Sequence, residues 1–232
     1  MRRGVVVEFA GLPGAGKTTL AHSTHQALLA AGVSSRLSDA SISASAPFSS
    51  RARRRLALAG AELCRHPKHG VGALHAIRRL RPVSSRDALA GAVQWLAVQG
   101  LEARATRTAG VHVLQEGLVQ TLWTLALRAR GSHLELVRML GRRAYSPDHL
   151  LVVVDAPPEL VSTRLATRTS RHSRTQLLAA PQRAAELALG QELLREILAV
   201  SDRGRLVLVN DGRASPEELA HHVVSWVLRA DS

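Results

Sequence analysis

The chain has 232 residues, 46% of them hydrophobic, which suits a single α/β domain spanning residues 1–232 with a sizeable core. Its formal net charge of +13 favours polyanionic partners such as nucleotides, but an aromatic content of only 3% leaves few platforms for stacking bases, so nucleic acid is the less favoured partner. The single cysteine, Cys64, excludes an intramolecular disulfide and a thiolate metal cluster. No stretch reaches the ~18 apolar residues that a membrane span needs, so we expect a cytoplasmic protein without a membrane partner.

The first elements are a strand, a glycine-rich loop and a helix. Residues 5–10 are rich in β-branched side chains and predict a buried strand, and residues 17–31 have the apolar spacing of a helix. Residues 11–18 between them read G-L-P-G-A-G-K-T, which matches the G-x-x-x-x-G-K-T phosphate loop. In such a loop Lys17 reaches the β- and γ-phosphates and the Thr18 hydroxyl can ligate Mg²⁺. The nucleotide-binding residues predicted here are Gly11, Pro13, Gly14, Ala15, Gly16, Lys17, Thr18 and Thr19.

Four later segments have the composition of buried strands, separated by helical patterns. The strands are expected at residues 34–38, 111–115, 150–155 and 205–210. Alternation of this kind predicts a parallel sheet between two helical layers, with ligands at the carboxyl ends of the strands. Helical patterns at residues 51–64, 71–81 and 87–108 make up an insertion, about residues 45–108, before the third strand, in which Pro67 and Pro82 are interpreted as breaks. Further helices are expected at residues 118–130 and 133–143, and the final helix begins with a capping box of Ser215 and Glu218.

Two acids end predicted strands, and each is a candidate partner for the phosphate loop. Glu116 follows the third strand and Asp155 ends the fourth. Either carboxylate could position Mg²⁺ or the attacking nucleophile. Which acid is the functional one is left open, because it depends on which strand lies beside the loop.

Arginines recur after Asp155 at spacings that place them on one helix face. Arg164, Arg168, Arg171 and Arg174 follow one another without an intervening acid, so a helix there would favour a bound anion. We predict a lid at about residues 164–180, in which Arg168 and Arg171 neutralise charge on a transferring phosphoryl group. The alternative is a solvated basic face. The tract at residues 51–55, with four arginines, also has two interpretations, as a binding site for an anionic acceptor or partner and as a solvated helix turn.

The chain resembles the P-loop kinases of the thymidylate kinase and deoxynucleoside kinase branch. Four segments carry the resemblance. They are residues 6–11 leading into 16–20, the Gln115-Glu116-Gly117 strand end, residues 155–159 leading into Arg164 and Arg168, and residues 207–212. It implies a three-layer fold with strand order 2-3-1-4-5 and Glu116 as the third-strand acid. It also implies acceptor contacts at Asp39 and Arg104, and an adenine-side loop from Asn210 to Arg213. The arginine that usually follows the third-strand acid in this branch is replaced by Gly117.

These features and the resemblance together predict a Mg·ATP-dependent phosphotransferase that acts on a small molecule. Glu116 is assigned to catalysis and acceptor binding, and Asp155 together with Thr18 to the metal. The alternatives are a P-loop ATPase or regulatory module with no acceptor, and a polynucleotide kinase that uses the basic insertion. A GTPase is disfavoured because the fifth strand ends in V-N-D-G, with no N-K-x-D segment. The histidines have no convincing metal-ligand spacing, so no structural metal is expected. The acceptor and the oligomeric state, a homodimer included, are left open.

Overall fold

The structure is a computed structural model that describes residues 4–40, 42, 48–79, 81, 84–129, 149–167, 174–200 and 205–230. Its strands are β1 (Val5–Gly11), β2 (Ser35–Leu37), β3 (Val111–Leu114), β4 (His149–Asp155) and β5 (Arg205–Val209). Its described helices are α1 (Lys17–Ala30), α2 (Phe48–Arg65), α3 (Pro67–Arg79), α4 (Ser85–Ala105), α5 (Leu118–Leu127), α6 (Pro158–Thr167), α7 (Arg174–Leu177), α8 (Ala180–Val200) and α9 (Pro216–Ala230).

The sheet is parallel throughout, with the strand order β2-β3-β1-β4-β5, as predicted. β1 is central because its side chains are apolar on both faces, and Val6, Val7, Phe9 and Ala10 are all buried. Glu8 is the exception, a fully buried carboxylate in the middle of this strand. Because the strands are parallel, the residues that follow β1, β3, β4 and β5 meet at one carboxyl edge.

Helices α2, α3 and α4 form the insertion that the sequence predicts before the third strand. α4 begins at an N-cap, Ser84, whose hydroxyl accepts the Asp87 N–H at 3.1 Å, and its Trp95 is 1% exposed. The prediction that Pro67 separates two helices is confirmed, since α2 ends at Arg65 and Pro67 is the first residue of α3, which begins four residues before the predicted start at residue 71. Proline suits that position because its fixed φ fits a helix and its missing N–H would have no intrahelical partner there.

The carboxyl-terminal third follows the prediction at β5 and at the last helix, but it contains one long helix that the sequence analysis did not predict. Ser215 and Glu218 form the predicted capping box, in which the Glu218 N–H donates to Ser215 Oγ at 3.1 Å and the Ser215 N–H to Glu218 Oε2 at 2.7 Å. The 21-residue helix α8 was not anticipated. It packs against α5, where Trp123 Nε1 donates to the carbonyl of Gly190 at 2.7 Å. The helix expected at residues 133–143 lies outside the described residues.

Among the residues that the structure describes, none of the helices is both long enough and apolar enough to cross a membrane.

Candidate functional site

The glycine loop joins the carboxyl end of β1 to the amino end of α1. Gly14 and Gly16 have φ angles of 87° and 100°, which a residue with a side chain adopts only with strain. Gly16 is also the N-cap of α1, and the first turn of that helix contains no acidic residue. Its N–H groups therefore have no cap from their own helix and, with the helix dipole, form a site suited to an anion.

Lys17 is folded over this loop. Its Nζ donates to the carbonyls of Gly11 at 2.8 Å and Leu12 at 2.9 Å. The Ala15 N–H donates to the Leu12 carbonyl at 3.1 Å and closes the loop from the other side. The ammonium group is therefore held at the edge of the site, over the residues that the pattern assigns to phosphate binding. Thr18 and Thr19 are exposed beside it.

Asn210 braces the loop from β5. Its Nδ2 donates to the Ala15 carbonyl at 2.7 Å, and its backbone N–H donates to the Asp155 carbonyl at 2.7 Å. Arg164 on α6 donates from Nη2 to Asn210 Oδ1 at 3.2 Å. Its Nη1 is buried and makes no hydrogen bond with any described residue. A cationic donor without a partner therefore lies beside Gly16, where an anion would satisfy it. Asn210 is a predicted site residue, whereas Arg164 was predicted only as one of the arginines at the start of the lid and not as a site residue.

Asp39 and Glu116 come together at the ends of β2 and β3. Asp39 Oδ2 accepts the N–H groups of Gln115 at 2.7 Å and Glu116 at 2.9 Å, so this carboxylate fixes the backbone on which Glu116 is mounted. Asp39 is 1% exposed, and its Oδ1 has no hydrogen-bond partner among the described residues. Burial raises the pKa of Asp39 to about 7; the Glu116 carboxylate adds to the rise, and the two N–H donors oppose it.

Arg55 approaches Glu116 from α2. Its Nη2 donates to the Ile42 carbonyl at 2.8 Å, while its Nε is buried without a hydrogen-bond partner among the described residues. Burial lowers the pKa of Arg55, and the Glu116 carboxylate opposes that change. The basic tract therefore divides, since Arg53 and Arg54 are exposed whereas Arg55 turns inward toward the acids.

Strand order does not show which of the two candidate acids is the functional one. β3 and β4 both pair with β1, one on each side, so Glu116 and Asp155 both flank the phosphate loop. They differ in environment. Glu116 is half-buried beside Asp39 and Arg55, and Asp155 is exposed.

Not every predicted site residue reaches this edge. Arg104 is exposed in the last turn of α4, close to Thr106, whose carbonyl accepts the Gly4 N–H at the amino end of β1. The structure therefore places Arg104 toward the opposite edge of the sheet. Arg213 is exposed, with its Nε 3.5 Å from Asp211 Oδ2. Arg168 and Arg171 lie outside the described residues, so their place in a lid stays a prediction.

The structure also shows why Gly117 stands where an arginine was expected. A Cβ added to Gly117 would overlap with the Glu8 carboxyl group, so this position has no room for a side chain. The Glu8 carboxylate accepts a hydrogen bond from the Gln120 N–H, and Gln120 Oε1 accepts one from the Gly11 N–H at 3.1 Å. Sequence reasoning missed these contacts. The one available signal was a charged residue inside an apolar strand.

Neither a family model nor a curated protein matches the chain. Among solved structures, a deoxyadenosine kinase from M. mycoides with bound dATP superposes with a TM-score of 0.55 at 8% identity, over 96% of this chain and 99% of that one. The chain has a P-loop kinase fold. The resemblance drawn from the sequence is thereby confirmed at the level of fold.

Two further structures are similar to a lesser degree. A shikimate kinase from Acinetobacter baumannii in complex with shikimate gives a TM-score of 0.48 at 16% identity, over 98% of this chain and 95% of that chain. The M. mycoides deoxyadenosine kinase with bound dCTP gives a TM-score of 0.47 at 10% identity, over 97% and 99%. Both scores are too low to add to the fold assignment, and identities in this range carry no information on the acceptor that a P-loop kinase fold binds.

Proposed function

We propose that the chain is an ATP-dependent kinase that transfers the γ-phosphoryl group to a hydroxyl of a small molecule. One observation carries the proposal. A glycine loop suited to an anion lies at the same edge of the sheet as two neighbouring acids, the buried Asp39 and the half-buried Glu116. A loop of this kind binds the donor, and a fixed carboxylate beside it is what a phosphoryl acceptor requires. A P-loop ATPase with no acceptor would have no use for the second feature.

On the donor side, the N–H groups of residues 14–18 would hold the phosphates. Lys17 would exchange its contacts with the Gly11 and Leu12 carbonyls for phosphate oxygens, and Arg164 would direct its buried Nη1 to the same anion. Thr18 and Asp155 offer the hydroxyl and carboxylate oxygens that Mg²⁺ prefers, and both side chains are exposed at this edge. They would hold the ion, which when bound supplies charge neutralisation between the phosphates.

On the acceptor side, Glu116 would take the proton of the attacking hydroxyl. The acceptor oxygen then forms the new bond to the γ-phosphorus, the bond from that phosphorus to the β–γ bridging oxygen breaks, and ADP leaves with the electron pair. Asp39 would hold the backbone of residues 115–116 in place through its two N–H contacts. The lid arginines, Arg168 and Arg171, would complete the neutralisation of charge.

Arg55 favours an acceptor that carries negative charge. It is a half-buried cation beside Glu116, and its Nε has no hydrogen-bond partner among the described residues. An anionic group on the acceptor, such as a carboxylate or a phosphate, would supply that partner. A hydroxyl of a neutral nucleoside or sugar could accept the same hydrogen bond, but it would add no charge to balance the guanidinium group.

An acceptor screen with γ-labelled ATP tests the proposal. The panel pairs each neutral compound with its anionic counterpart, such as nucleoside with nucleoside monophosphate and sugar with sugar acid, and includes oligonucleotides. We expect the label to be transferred to a small acceptor that is already anionic, and less to its neutral counterpart. Labelled inorganic phosphate released equally with and without every acceptor would contradict the kinase assignment, and label in the oligonucleotides alone would favour a polynucleotide kinase, with binding that weakens steeply as salt rises.

A further inference from the structure

Three ionisable side chains are buried together behind the phosphate loop. They are Glu8 on β1, His149 at the start of β4 and Glu102 on α4, with side-chain exposures of 0%, 2% and 11%. His149 Nε2 lies 3.1 Å from Glu8 Oε2, and His149 Nδ1 lies 3.7 Å from Glu102 Oε2. The imidazole therefore has a carboxylate at each of its two ring nitrogens. Buried charges persist only where they are paired in this way.

The other oxygen of each carboxylate caps helix α5. Glu8 Oε1 accepts the Gln120 N–H at 3.0 Å, and Glu102 Oε1 accepts the Leu118 N–H at 3.3 Å. α5 needs caps from outside, because its N-cap is Gly117 and its first turn contains no acidic residue. The positive end of the helix dipole also favours negative charge at this place.

The same helix turn connects both halves of the site. Gln120 Oε1 accepts the N–H of Gly11, the first residue of the phosphate loop, at 3.1 Å. Gly117 directly follows Glu116 in the chain and packs against the Glu8 carboxyl group. A displacement of the first turn of α5 would therefore move the start of the phosphate loop and the Glu116 backbone together.

We propose that Glu8, His149 and Glu102 form a buried brace that positions the phosphate loop relative to Glu116. Each carboxylate faces the imidazole with one oxygen and holds the first turn of α5 with the other. Burial raises the pKa of Glu102 to about 8, with His149 opposing and Glu8 adding to the rise. The three are positioning residues, and their catalytic role rests on the proposed kinase function.

The first test compares Glu102→Leu with Glu102→Gln. Leucine removes the acceptor for the Leu118 N–H and the partner of His149, whereas glutamine keeps a carbonyl oxygen for the helix and a polar group for the imidazole. We expect kcat to fall about tenfold or more in the leucine variant, with the acceptor KM changed by less than about twofold, and we expect glutamine to restore most of kcat. Unchanged kcat per folded molecule in Glu102→Leu would overturn the positioning role, even if its melting temperature falls.

A second variant covers the case in which Glu102→Leu does not fold. Gln120→Met preserves the volume and the capped helix but removes the acceptor of the Gly11 N–H, so we expect the same selective loss of kcat. Gln191→Met, at a half-buried glutamine on α8, is the matched control. Equal kcat values for the two methionine variants would overturn the link between brace and loop.

Proton NMR tests the brace without any reference to catalysis. In ¹⁵N-labelled protein at neutral pH, we expect Glu102→Leu to shift the amide resonances of Gln120 and Gly11 as well as that of Leu118, because the first turn of α5 joins them. Unchanged Gln120 and Gly11 resonances would overturn the link between the brace and the phosphate loop. If no acceptor is ever phosphorylated, the proposed function fails while this spectrum still decides whether the brace exists.

Discussion

Replacement of Asp39 by asparagine should change how stability depends on pH. Burial raises the pKa of this carboxyl group from its ordinary 3.8 to about 7 in the folded protein. Between these two values the native state holds a proton that the unfolded chain has released. The free energy of unfolding contributed by Asp39 therefore falls as pH rises from about 4 to about 7, and it is level above that range.

The magnitude follows from the same two pKa values. Since one pKa unit corresponds to about 1.4 kcal/mol, the rise to about 7 amounts to roughly 4 kcal/mol at most. Asparagine can accept both the Gln115 and Glu116 N–H groups through its amide oxygen but cannot ionise. Its NH₂ group needs new hydrogen-bond partners, and the resulting destabilisation is independent of pH. The informative quantity is therefore the change with pH in the stability difference between Asp39→Asn and the parent.

Urea unfolding from about pH 4 to about pH 8 measures that difference. We expect Asp39→Asn to gain stability relative to the parent by several kcal/mol across the range, whatever the offset at its acid end. Asp155→Asn is the matched control, because it removes an exposed carboxylate at the same edge of the sheet. A stability difference that stays flat with pH for Asp39→Asn would refute the inference that a buried, protonatable carboxyl group holds the Glu116 backbone.

Other predictions concern the donor site and the two acids. Asn210→Ala removes the hydrogen bond that ties the end of β5 to the phosphate loop, so nucleotide affinity, measured with a fluorescent ATP analogue, should weaken about tenfold; unchanged affinity would argue against a bracing role. Combined replacement of Arg168 and Arg171 by alanine should lower turnover about tenfold or more with little change in ATP affinity, and a change in affinity alone would remove the lid from the mechanism. Glu116→Gln should abolish transfer but preserve ATP binding, whereas Asp155→Asn should raise the Mg²⁺ concentration needed for half-maximal rate; loss of transfer only at Asp155 would reassign the acid.

Features written in consecutive residues could be predicted from the sequence. The phosphate loop is specified by glycines at positions 14 and 16, where the backbone needs positive φ, and by Lys17 at the start of the helix. The capping box of Ser215 and Glu218 is equally local. Pro67 shows the limit of such reasoning. It marks the predicted boundary between two helices, but the pattern places the start of the second helix at residue 71, because a proline can either precede a helix or occupy its first position.

Features that depend on distant residues could not be predicted. Asp39 meets Gln115 from 76 residues away, and Glu8 meets the Gln120 N–H from 112 residues away. No spacing rule connects such pairs, since they are brought together by strand order and by the path of the insertion. Arg55 illustrates the same point. In the sequence it is one of four arginines in a tract, and only the course of α2 separates it from its exposed neighbours.

Phosphoryl transfer by a lysine variant tests the kinase assignment most directly. The chain contains two lysines, Lys17 over the phosphate loop and Lys68, exposed on α3, so Lys68→Ala is a matched control for Lys17→Ala. With γ-labelled ATP and the best acceptor of the screen, Lys17→Ala should transfer no label while it melts as the parent does, and Lys68→Ala should transfer label at the parental rate. Transfer that survives in folded Lys17→Ala would contradict the account.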